Sequence, residues 1–429
     1  MLLPPGRMLR ALFALPLIAI PAPVRASGFA LESQGARAAG FSGAYVAQAA
    51  DASAIYYNAA GLAFLKGQHL YVGGQLGGLT TDFTGEGPAP PAGTVETSSR
   101  GLGLLPTIYY SRSIAGHTVL GVGVYEPFGF RSEWTNPSLF SGRFVCFDCS
   151  IRSWSVNPTL AFRLADRLAV GFGVDLRLST FKQQKRLLAS PNPFPVPKDV
   201  AQMTLEGSTS TGVGWNVGLL ASPSESFSVG LAYRSKVTID HDAQARFVQI
   251  TTGDSAVDEA VASALPKDQL ATARFSYPAS LSGGVALKRR YWTFEADLVW
   301  TFWSSFDAVA LGFPSTPAYD TTLPQDYQST WRGALGVERL IGERWELRGG
   351  YSYDHSPQPT ATLSPFLQDE DRHGFTLGGS YKYENLRLDV VGRLLLYRDR
   401  STGGLSQYGY DGLYQTRGFS IGASLGYRF

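Results

Sequence analysis

The chain has 429 residues, a formal net charge of +2, and 44% hydrophobic and 13% aromatic residues. A charge this close to zero gives no support to nucleic-acid binding. Mean hydropathy is −0.05, and no apolar run beyond residue 25 is long enough for a transmembrane helix. Strands with one apolar and one polar face have this composition, because the two faces cancel in any window.

The first 26 residues are predicted to be a secretory signal peptide. Two arginines precede an apolar stretch at 11–22, and Val24 and Ala26 stand at positions −3 and −1 of a cleavage site. An uncleaved anchor is the alternative, but the stretch contains two prolines and is too short to span a bilayer. The mature chain is expected to begin near Ser27.

From Gln68 to Phe429 the chain repeats one pattern. Two alternating stretches are joined by a short turn, and a long irregular loop follows. Barrels of the bacterial outer membrane have short turns on the periplasmic side and long loops outside. Fourteen strand candidates begin near residues 68, 101, 117, 152, 167, 211, 226, 274, 291, 327, 344, 373, 386 and 415. The sequence therefore predicts an all-β fold, a fourteen-stranded antiparallel transmembrane β-barrel over residues 68–429.

The register of these strands is well specified by their side chains. Trp292, Phe294 and Leu298 alternate with Glu295 and Asp297. A slip of one residue would place both carboxylates in lipid, which would cost up to about 4 kcal/mol of folding free energy for each near the midplane. The aromatic residues are therefore predicted to face outward and the carboxylates to face the lumen.

Seven long loops are predicted, at about 82–99, 129–151, 183–208, 240–272, 305–326, 355–371 and 399–414. In the fourth, Val257, Val261 and Leu265 recur every four residues behind Asp254. This spacing predicts a short capped helix over the barrel mouth. Four prolines between 191 and 197 predict an extended segment in the third loop.

Residues 27–67 show no strand alternation. Glycine and alanine dominate 35–50, and charges are few. Some forty residues between a signal peptide and a first strand with such small side chains suit a plug, or hatch, inside the lumen. A flexible periplasmic tail is the alternative.

Cys146 and Cys149 are the only cysteines of the chain. The five histidines are scattered over different segments, so a zinc site finds few further ligands. In an exported protein, a local disulfide that clamps the second long loop is the better interpretation. No metal and no cofactor are predicted.

An enzyme is not predicted, because Gly-x-Ser-x-Gly is absent and no histidine lies in a serine-rich catalytic motif. A general porin or structural barrel is a different class of function. Such a barrel would have no plug and no apolar route through its lumen.

The mature chain resembles the FadL family (OmpP1/FadL/TodX), outer-membrane transporters of long-chain fatty acids and other hydrophobic compounds. The matching motifs are Gly28-Phe29, Gly40 to Gly43-Ala44, Asp51-Ala52-Ser53, Tyr57-Asn58-Ala59-Ala60-Gly61-Leu62, Pro127-Phe128-Gly129, Asn157-Pro158, 232–237, Trp300 with Trp303-Ser304, and 348–354 followed by Ser356-Pro357. Where the family has Asn-Pro-Ala, this chain has Asn58-Ala59-Ala60. The missing proline frees a φ angle and restores an N–H donor, so the local conformation of the plug can differ.

The resemblance implies passive, ligand-gated uptake in the outer membrane, foremost of long-chain fatty acids. Uptake of aromatic or aliphatic hydrocarbons is the alternative within the family. The implied hatch and gating residues are Gly28, Phe29, Asn58, Ala59 and Ala60. Implied partners are the hydrophobic substrate, outer-membrane lipids and lipopolysaccharide, and the barrel assembly machinery, with the protein a monomer.

The resemblance also implies that ligand leaves through the barrel wall beside the third strand. Gly121 and Gly123 lack side chains on one face of that strand, and Pro127, before Gly129, cannot donate a ladder hydrogen bond. A strand of this kind can bend inward and open a lateral gap. Alternatively, Pro127 ends the strand at the outer rim.

An acyl carboxylate needs a cation or fixed donors at one end of an apolar site. Cations of lumen parity are Arg177, Arg234, Lys236, Arg274, Arg332, Arg348, Arg387 and Arg393. Acids of the same parity are Asp175, Glu295, Asp297, Glu338, Glu346 and Asp389. Mutual pairing is expected for most of these groups, and Arg177 and Arg332 are the predicted carboxylate-binding candidates.

Overall fold

A computed structural model of the protein describes residues 28–99, 101–188 and 198–429. The predicted signal peptide and the four prolines of the third loop lie outside these residues. Helices are short: α1 (Ala36–Gly40), α2 (Ala54–Tyr57), α3 (Ser255–Ala264), and 3₁₀ turns at Ala59–Phe64, Trp303–Ser305, Pro317–Tyr319 and Thr360–Thr362. No helix in the described part of the chain is long and apolar enough to cross a membrane.

The remaining structure is β-sheet. The strands are β1 (Gln68–Gly85), β2 (Val95–Thr97), β3 (Gly103–Ala115), β4 (Thr118–Glu133), β5 (Asp148–Ala165), β6 (Leu168–Leu188), β7 (Asp199–Gly207), β8 (Ser210–Ser224), β9 (Phe227–Arg234), β10 (Val237–Gln249), β11 (Gln269–Tyr277), β12 (Ser280–Arg289), β13 (Trp292–Thr301), β14 (Ala308–Gly312), β15 (Thr321–Pro324), β16 (Thr330–Ile341), β17 (Trp345–Asp354), β18 (Arg372–Tyr383), β19 (Leu386–Tyr397), β20 (Arg400–Ser401) and β21 (Gly412–Arg428).

Fourteen of these strands form a closed antiparallel ring. Its order is β1, β3, β4, β5, β6, β8, β9, β12, β13, β16, β17, β18, β19 and β21. The last strand returns to the first, pairing from His69–Arg428 to Gly85–Gly412. The predicted fourteen-stranded barrel is confirmed, and closure leaves the ring without a free outer edge.

The predicted register is also confirmed. Trp292, Phe294 and Leu298 are exposed on the outside of β13, while Glu295 and Asp297 are buried inside. Two rings of outward-facing aromatic residues mark the ends of the apolar band, as expected for a membrane barrel. Members near the short turns are Tyr291, Trp292, Trp345 and Tyr383, and members near the long loops are Trp215, Tyr233, Trp331 and Tyr353.

The loops predicted at 183–208 and 240–272 are wrong in part. Residues 183–188, 199–207, 240–249 and 269–272 extend the wall beyond the membrane band, at the end of β6, in β7, in β10 and at the start of β11. Here the two faces are inverted: Ile239 and Ala243 face inward, whereas Asp240 and Asp242 face outward. Above the membrane a strand meets water outside, so the apolar-outward pattern used to find strands no longer applies.

The helix predicted in the fourth loop is confirmed as α3. The Asp254 side chain accepts hydrogen bonds from the backbone N–H groups of Ala256 (3.0 Å) and Val257 (3.2 Å), as an N-cap does. None of its residues is buried, so the helix stands in solvent and does not pack on the barrel mouth.

Residues 28–67, hereafter the N-terminal segment, lie inside the ring of strands. The Asn58 side-chain amide donates to the carbonyl oxygens of Val46 (2.9 Å) and Leu219 (3.0 Å), which links the segment to β8. On the opposite wall, Ser42 and Thr376 of β18 share a hydrogen bond of 3.0 Å. Almost every residue from 33 to 63 is buried. Small side chains make this possible, because they let the segment approach the wall closely.

Two inward glycines form a flat shelf for the turn at 58–60. A Cβ atom on Gly171 would lie 2.4 Å from the Ala59 carbonyl carbon, and one on Gly218 would lie 2.1 Å from the Asn58 Oδ1. Real Cβ atoms do not approach other heavy atoms this closely. The predicted hatch residues Asn58, Ala59 and Ala60 are thus pressed against bare backbone of β6 and β8.

Replacing Gly171 with valine is expected to push the N-terminal segment off the wall, because the clash is with backbone and cannot be relieved by a rotamer change. Limited proteolysis should then cut within residues 28–67 while heat-modifiable gel mobility shows an intact barrel. Gly392→Val is the matched control, since a Cβ there meets no atom within 4 Å. Equal protease resistance of both variants would contradict this placement.

Candidate ligand site and lateral window

The barrel wall has an opening between β3 and β4, hereafter the window. Pairing of these strands runs from the short turn only to Ile108 and Val124. Beyond this pair, residues 103–107 of β3 have no partner on β4 within the described chain. The window is bounded above by a hydrogen bond of 2.6 Å from the Ser99 N–H to the Glu133 carbonyl. It is therefore an enclosed hole in the wall rather than a split running to the rim.

A β-bulge in β4 produces the window. Glu126 and Pro127 stand opposite the single residue Trp154 of β5, so β4 carries one extra residue and bends. The bend is held from the side by an ion pair of 3.0 Å between Arg152 and Glu126. On the other edge, Pro106 lies in the unpaired part of β3 and has no N–H to donate.

The start of the N-terminal segment covers the window from inside. The Leu31 N–H donates to the Pro127 carbonyl (2.9 Å), and the Gly129 N–H donates to the Phe29 carbonyl (3.0 Å). These bonds satisfy backbone groups that β3 would otherwise have paired. Gln34 adds a side-chain bond of 2.7 Å to the Glu126 carbonyl. The inward bend of β4 and the position of residues 29–31 are thus one structural unit.

The four residues predicted to form the lateral opening take different positions. Pro127 lies in the bulge, and Gly129 faces the Glu126 side chain just beyond it. Gly121 and Gly123 lie in the stretch still paired with β3 and face Ile55 of the N-terminal segment. A Cβ atom added to either glycine would lie 3.0 Å from the Ile55 side chain. These two glycines make room for the segment below the window and do not line the window itself.

Above the N-terminal segment the lumen is lined by an apolar group of residues, hereafter the upper apolar cluster. It comprises Phe29, Phe128, Ile151, Phe181, Met203, Leu205, Val237, Ile239, Ala243, Ala245, Ala271, Ala273, Phe275, Tyr277, Trp303, Phe306, Val309, Leu311, Phe313, Tyr327 and Leu367. Phe29 is central, with its ring centroid 4.9 Å from Trp303, 5.2 Å from Phe306 and 5.9 Å from Phe128. The cluster thus adjoins the window through Phe29 and Phe128.

Arg177 is the cation of this cluster. Its side chain is 2% exposed, and its guanidinium carbon lies 5.0 Å from the Phe128 ring centroid and 5.3 Å from that of Tyr277. One nitrogen, Nη2, pairs with Asp175 at 2.5 Å. Nε and Nη1 are buried and have no hydrogen-bond partner among the described residues. A buried donor that forms no hydrogen bond costs about 1–3 kcal/mol of folding free energy, and a charged donor costs more.

A second guanidinium lies near the same acid. Arg234 acts electrostatically on Asp175, so two cations share one carboxylate. The Arg234 guanidinium uses its donors elsewhere: Nη1 donates to the Tyr125 hydroxyl (2.9 Å) and Nη2 to the carbonyl of Ile55 (2.8 Å). This group of three charges carries an excess of one positive charge, and Arg177 holds its unused donors.

Arg332, the second predicted carboxylate-binding residue, lies in a layer of ion pairs and not in the upper apolar cluster. It lies 2.8 Å from Asp354 and donates to the Ser42 carbonyl of the N-terminal segment. Arg372 also bonds Asp354 (3.0 Å) and reaches Glu32 (3.0 Å). Arg332 therefore already pairs with a carboxylate of the protein.

Two other cations assigned to the lumen are wrongly placed. Arg274 is 64% exposed and pairs with Asp240 on the outer surface of β10 and β11. Lys236 is exposed at the break between β9 and β10. At a break between two strands, the alternation of inward and outward side chains shifts. Counting every second residue across such a break therefore assigns side chains to the wrong face.

A second ionic layer closes the lumen near the short turns. Arg348 is fully buried and lies 2.7 Å from Glu338 and 3.2 Å from Asp389, and it also pairs with Glu346. Arg387 joins the layer through Asp389 at 3.0 Å. Mutual neutralisation was expected for these groups, and it makes the floor of the lumen charged and densely bonded.

Two lumen carboxylates hold the middle of the N-terminal segment. Asp297 accepts from the backbone N–H groups of Tyr45 (2.6 Å) and Val46 (2.9 Å). Glu295 accepts from those of Ala47 (2.7 Å) and Gln48 (3.1 Å). Four consecutive N–H groups are thus bound by adjacent inward positions of β13, which fixes the centre of the segment to the barrel wall.

The beginning of the segment is held by the sixth long loop. Gly28 has a positive φ of 61°, and a Cβ there would lie 2.6 Å from the Trp303 ring. Its N–H donates to Asp369 at 3.1 Å, and Ser356 donates to the same carboxylate at 2.6 Å. Burial raises the pKa of Asp369 to about 6. Gly28 and Phe29, both predicted gating residues, are thus fixed at the junction of loop, cluster and window.

In the second long loop the sulfur atoms of Cys146 and Cys149 are bonded to each other. Both residues are buried, beside an aromatic group that includes Trp134 and Phe147. Among the described residues no group of three or more histidine, cysteine, aspartate or glutamate side chains could hold a metal ion.

Several site residues were not found from the sequence. Pro106 was a usable signal, because a proline inside an apparent central strand argues for an unpaired edge. The roles of Glu295 and Asp297 had no such signal, since their partners are backbone groups some 250 residues away in the chain. Ten of the 21 members of the upper apolar cluster lie on β10, β11 and β14, and five of these ten are in stretches predicted to be loops.

Taken together, a closed fourteen-stranded barrel with aromatic belts, an occupied lumen and a window in its wall defines a transport barrel of the outer membrane. The family model described as "Outer membrane protein transport protein (OMPP1/FadL/TodX)" matches residues 17–429. The chain belongs to this family, as its motifs indicated. Members of the family transport hydrophobic compounds across the Gram-negative outer membrane, and the predicted localisation is confirmed.

Relatives and solved structures agree with this assignment. Outer membrane protein P1 of Haemophilus influenzae is 25% identical over 399 residues, 82% of each chain. A long-chain fatty acid transport protein of Salmonella typhi is 23% identical over 65% of this chain and 66% of its own. The fold is similar to that of a Pseudomonas aeruginosa FadL homologue (TM-score 0.82, 22% identity, 94% of this chain and 100% of that one). It is also similar to the Pseudomonas putida toluene transporter TodX (0.70, 19%, 93% and 99%).

Proposed function

We propose that the protein mediates passive, ligand-gated uptake of hydrophobic molecules, foremost long-chain fatty acids, which leave through the window into the membrane. The observation that carries this proposal is Arg177. It offers two unused donors of a guanidinium inside an apolar, aromatic cluster. A carboxylate can accept from one of these donors while Asp175 holds Nη2, and the surrounding rings suit an acyl chain.

The proposed route turns sideways because the path straight down is unfavourable. Below the upper apolar cluster stand the N-terminal segment and two layers of buried ion pairs. An acyl chain passing there would have to separate charges that are desolvated and paired, at a cost of about 3–5 kcal/mol for each broken pair. The window lies beside the cluster and opens onto lipid.

The gate in this proposal is residues 29–31, which cover the window from inside. Phe29 contacts the cluster and Leu31 bonds the bulge, so a ligand that displaces Phe29 acts directly on the cover. Asn58, Ala59 and Ala60 anchor the rest of the segment and need not move. Gating is then a local change of a few residues.

We also propose a monomeric state and three further partners: lipopolysaccharide, membrane lipids and the barrel assembly machinery. The pairing of β21 with β1 closes the ring, which supports a monomer. The long loops would contact lipopolysaccharide and the apolar band the membrane lipids. The last strand, β21, is followed by Phe429, whose side chain is exposed, and this strand is proposed to be recognised by the barrel assembly machinery.

Replacing Arg177 with glutamine should reduce the affinity for oleate by about 10- to 100-fold, because bonds to charged groups contribute about 1.5–3 kcal/mol and 1.4 kcal/mol is tenfold. Toluene, which has no carboxylate, should bind the variant as it binds the native protein. Calorimetric titration of the purified barrel, and growth on oleate of a strain that carries the variant, would measure both effects.

Arg274→Gln is the matched control, since Arg274 is an exposed arginine also paired with an aspartate. If the native protein binds toluene but not oleate, hydrocarbon uptake replaces fatty acid uptake as the function. If it binds neither and conducts small ions freely, a general porin is the better account.

A further inference from the structure

His241 is a buried polar side chain that neither the fold nor the proposed carboxylate site uses. It lies on β10, faces inward, and is 1% exposed. Its ring stands edge-on to Phe181 (5.3 Å) and to Phe275 (5.5 Å), both members of the upper apolar cluster. Neither ring nitrogen has a hydrogen-bond partner among the described residues. The Ser208 backbone lies close enough to the ring to raise its pKa, but no hydrogen bond of acceptable geometry joins the two.

Packing alone does not account for an imidazole at this position. A phenylalanine or leucine would fill the space between two phenyl rings without burying two polar nitrogens, whose unmade bonds cost about 1–3 kcal/mol each. The outward neighbours Asp240 and Asp242 are charged, so this part of β10 stands above the membrane. Burial lowers the pKa of His241, and the ring is neutral at pH 7, with one nitrogen a donor and the other an acceptor.

The distance from Arg177 indicates which part of a ligand would meet this ring. Phe181, which touches His241, is four residues beyond Arg177 on the same face of β6, or about 13 Å at 3.3 Å per residue. With carbon–carbon bonds of about 1.5 Å in a zigzag, this span corresponds to roughly ten carbons. A long-chain acid anchored at Arg177 would therefore bring the middle of its chain to His241.

We propose that His241 is a specificity-determining residue that binds a hydroxyl or other oxygen in the middle of the acyl chain, so that oxygenated long-chain acids are preferred ligands. A hydroxyl both donates and accepts, as the neutral imidazole does, and the pair would satisfy both groups in apolar surroundings. This inference rests on the proposed function, because it takes the carboxylate to be held at Arg177. It adds to that function a second polar contact with a defined spacing.

The test compares octadecanoate, 12-hydroxyoctadecanoate and 3-hydroxyoctadecanoate as ligands of the purified full-length barrel. The native protein should bind the 12-hydroxy acid about fivefold more tightly than the other two, in keeping with about 1 kcal/mol for a hydrogen bond. The 3-hydroxyl lies beside the carboxylate and cannot reach His241. Replacing His241 with phenylalanine should abolish the preference and leave octadecanoate binding unchanged.

His241→Asn, which retains a donor and an acceptor, should keep part of the preference and serves if the phenylalanine variant does not fold. His373→Phe is the matched control, since His373 is exposed on the outer face of β18. A native protein that binds all three acids equally would overturn the inference while leaving the proposed function intact, as would equal weakening of all three in His241→Phe. Failure to bind any acid would overturn both.

Discussion

Removing the bulge from β4 should abolish uptake while leaving ligand binding intact. The change is deletion of Glu126 combined with Pro127→Val, which leaves one apolar residue opposite Trp154. β4 and β5 then have equal numbers of residues across this stretch, and β4 can continue its ladder with β3 past Val124. On the proposed route this closes the only described opening from the cluster to lipid, and we expect uptake of oleate to fall by at least tenfold.

Pro127→Ala is the matched control for this experiment. It restores an N–H but keeps the extra residue, so the bulge and most of the transport should persist. Uptake is measured with labelled oleate in cells, binding with the purified barrel, and folding by heat-modifiable mobility. A bulge-deleted protein that folds, inserts and transports at the native rate would exclude the lateral route and favour passage straight through a displaced N-terminal segment.

The barrel could be predicted from the sequence because each strand in the membrane carries its own evidence. In β13 the alternation of Trp292 and Phe294 with Glu295 and Asp297 has only one physically acceptable register, since the carboxylates cannot face lipid. Above the membrane this constraint is absent. The stretch around His241 alternates equally well, but its charged residues face water outside, and an apolar-outward template therefore misses it.

The candidate site was predictable only in part, because a lumen position does not reveal its partners. Arg177 and Arg332 have the same parity and similar neighbours in sequence. Each pairs with one aspartate, and what separates them is that Arg177 lies among aromatic rings, whereas Arg332 lies in a layer of ion pairs. Pro127 was informative because its missing N–H acts locally. Gly121 and Gly123 were misleading, since the space they leave is filled by the N-terminal segment.

The bonds from Glu295 and Asp297 to the N-terminal segment should keep the lumen closed to small solutes. Together they bind the four backbone N–H groups of residues 45–48. Replacing both with alanine leaves these N–H groups without acceptors and removes four hydrogen bonds, each worth about 0.5–1.5 kcal/mol. The segment would remain attached at Asn58 and at Gly28 but would loosen between them.

We therefore expect the double alanine variant to form a folded barrel with a leaky lumen. Single-channel conductance in planar bilayers should rise by at least tenfold over the native protein, cells should become sensitive to large antibiotics, and protease should cut near residues 45–48. Asp166→Ala, in a short turn, is the control for loss of a carboxylate. If conductance and protease resistance stay native while the barrel folds, the segment is held by packing on the glycine shelf, and these carboxylates only neutralise the lumen.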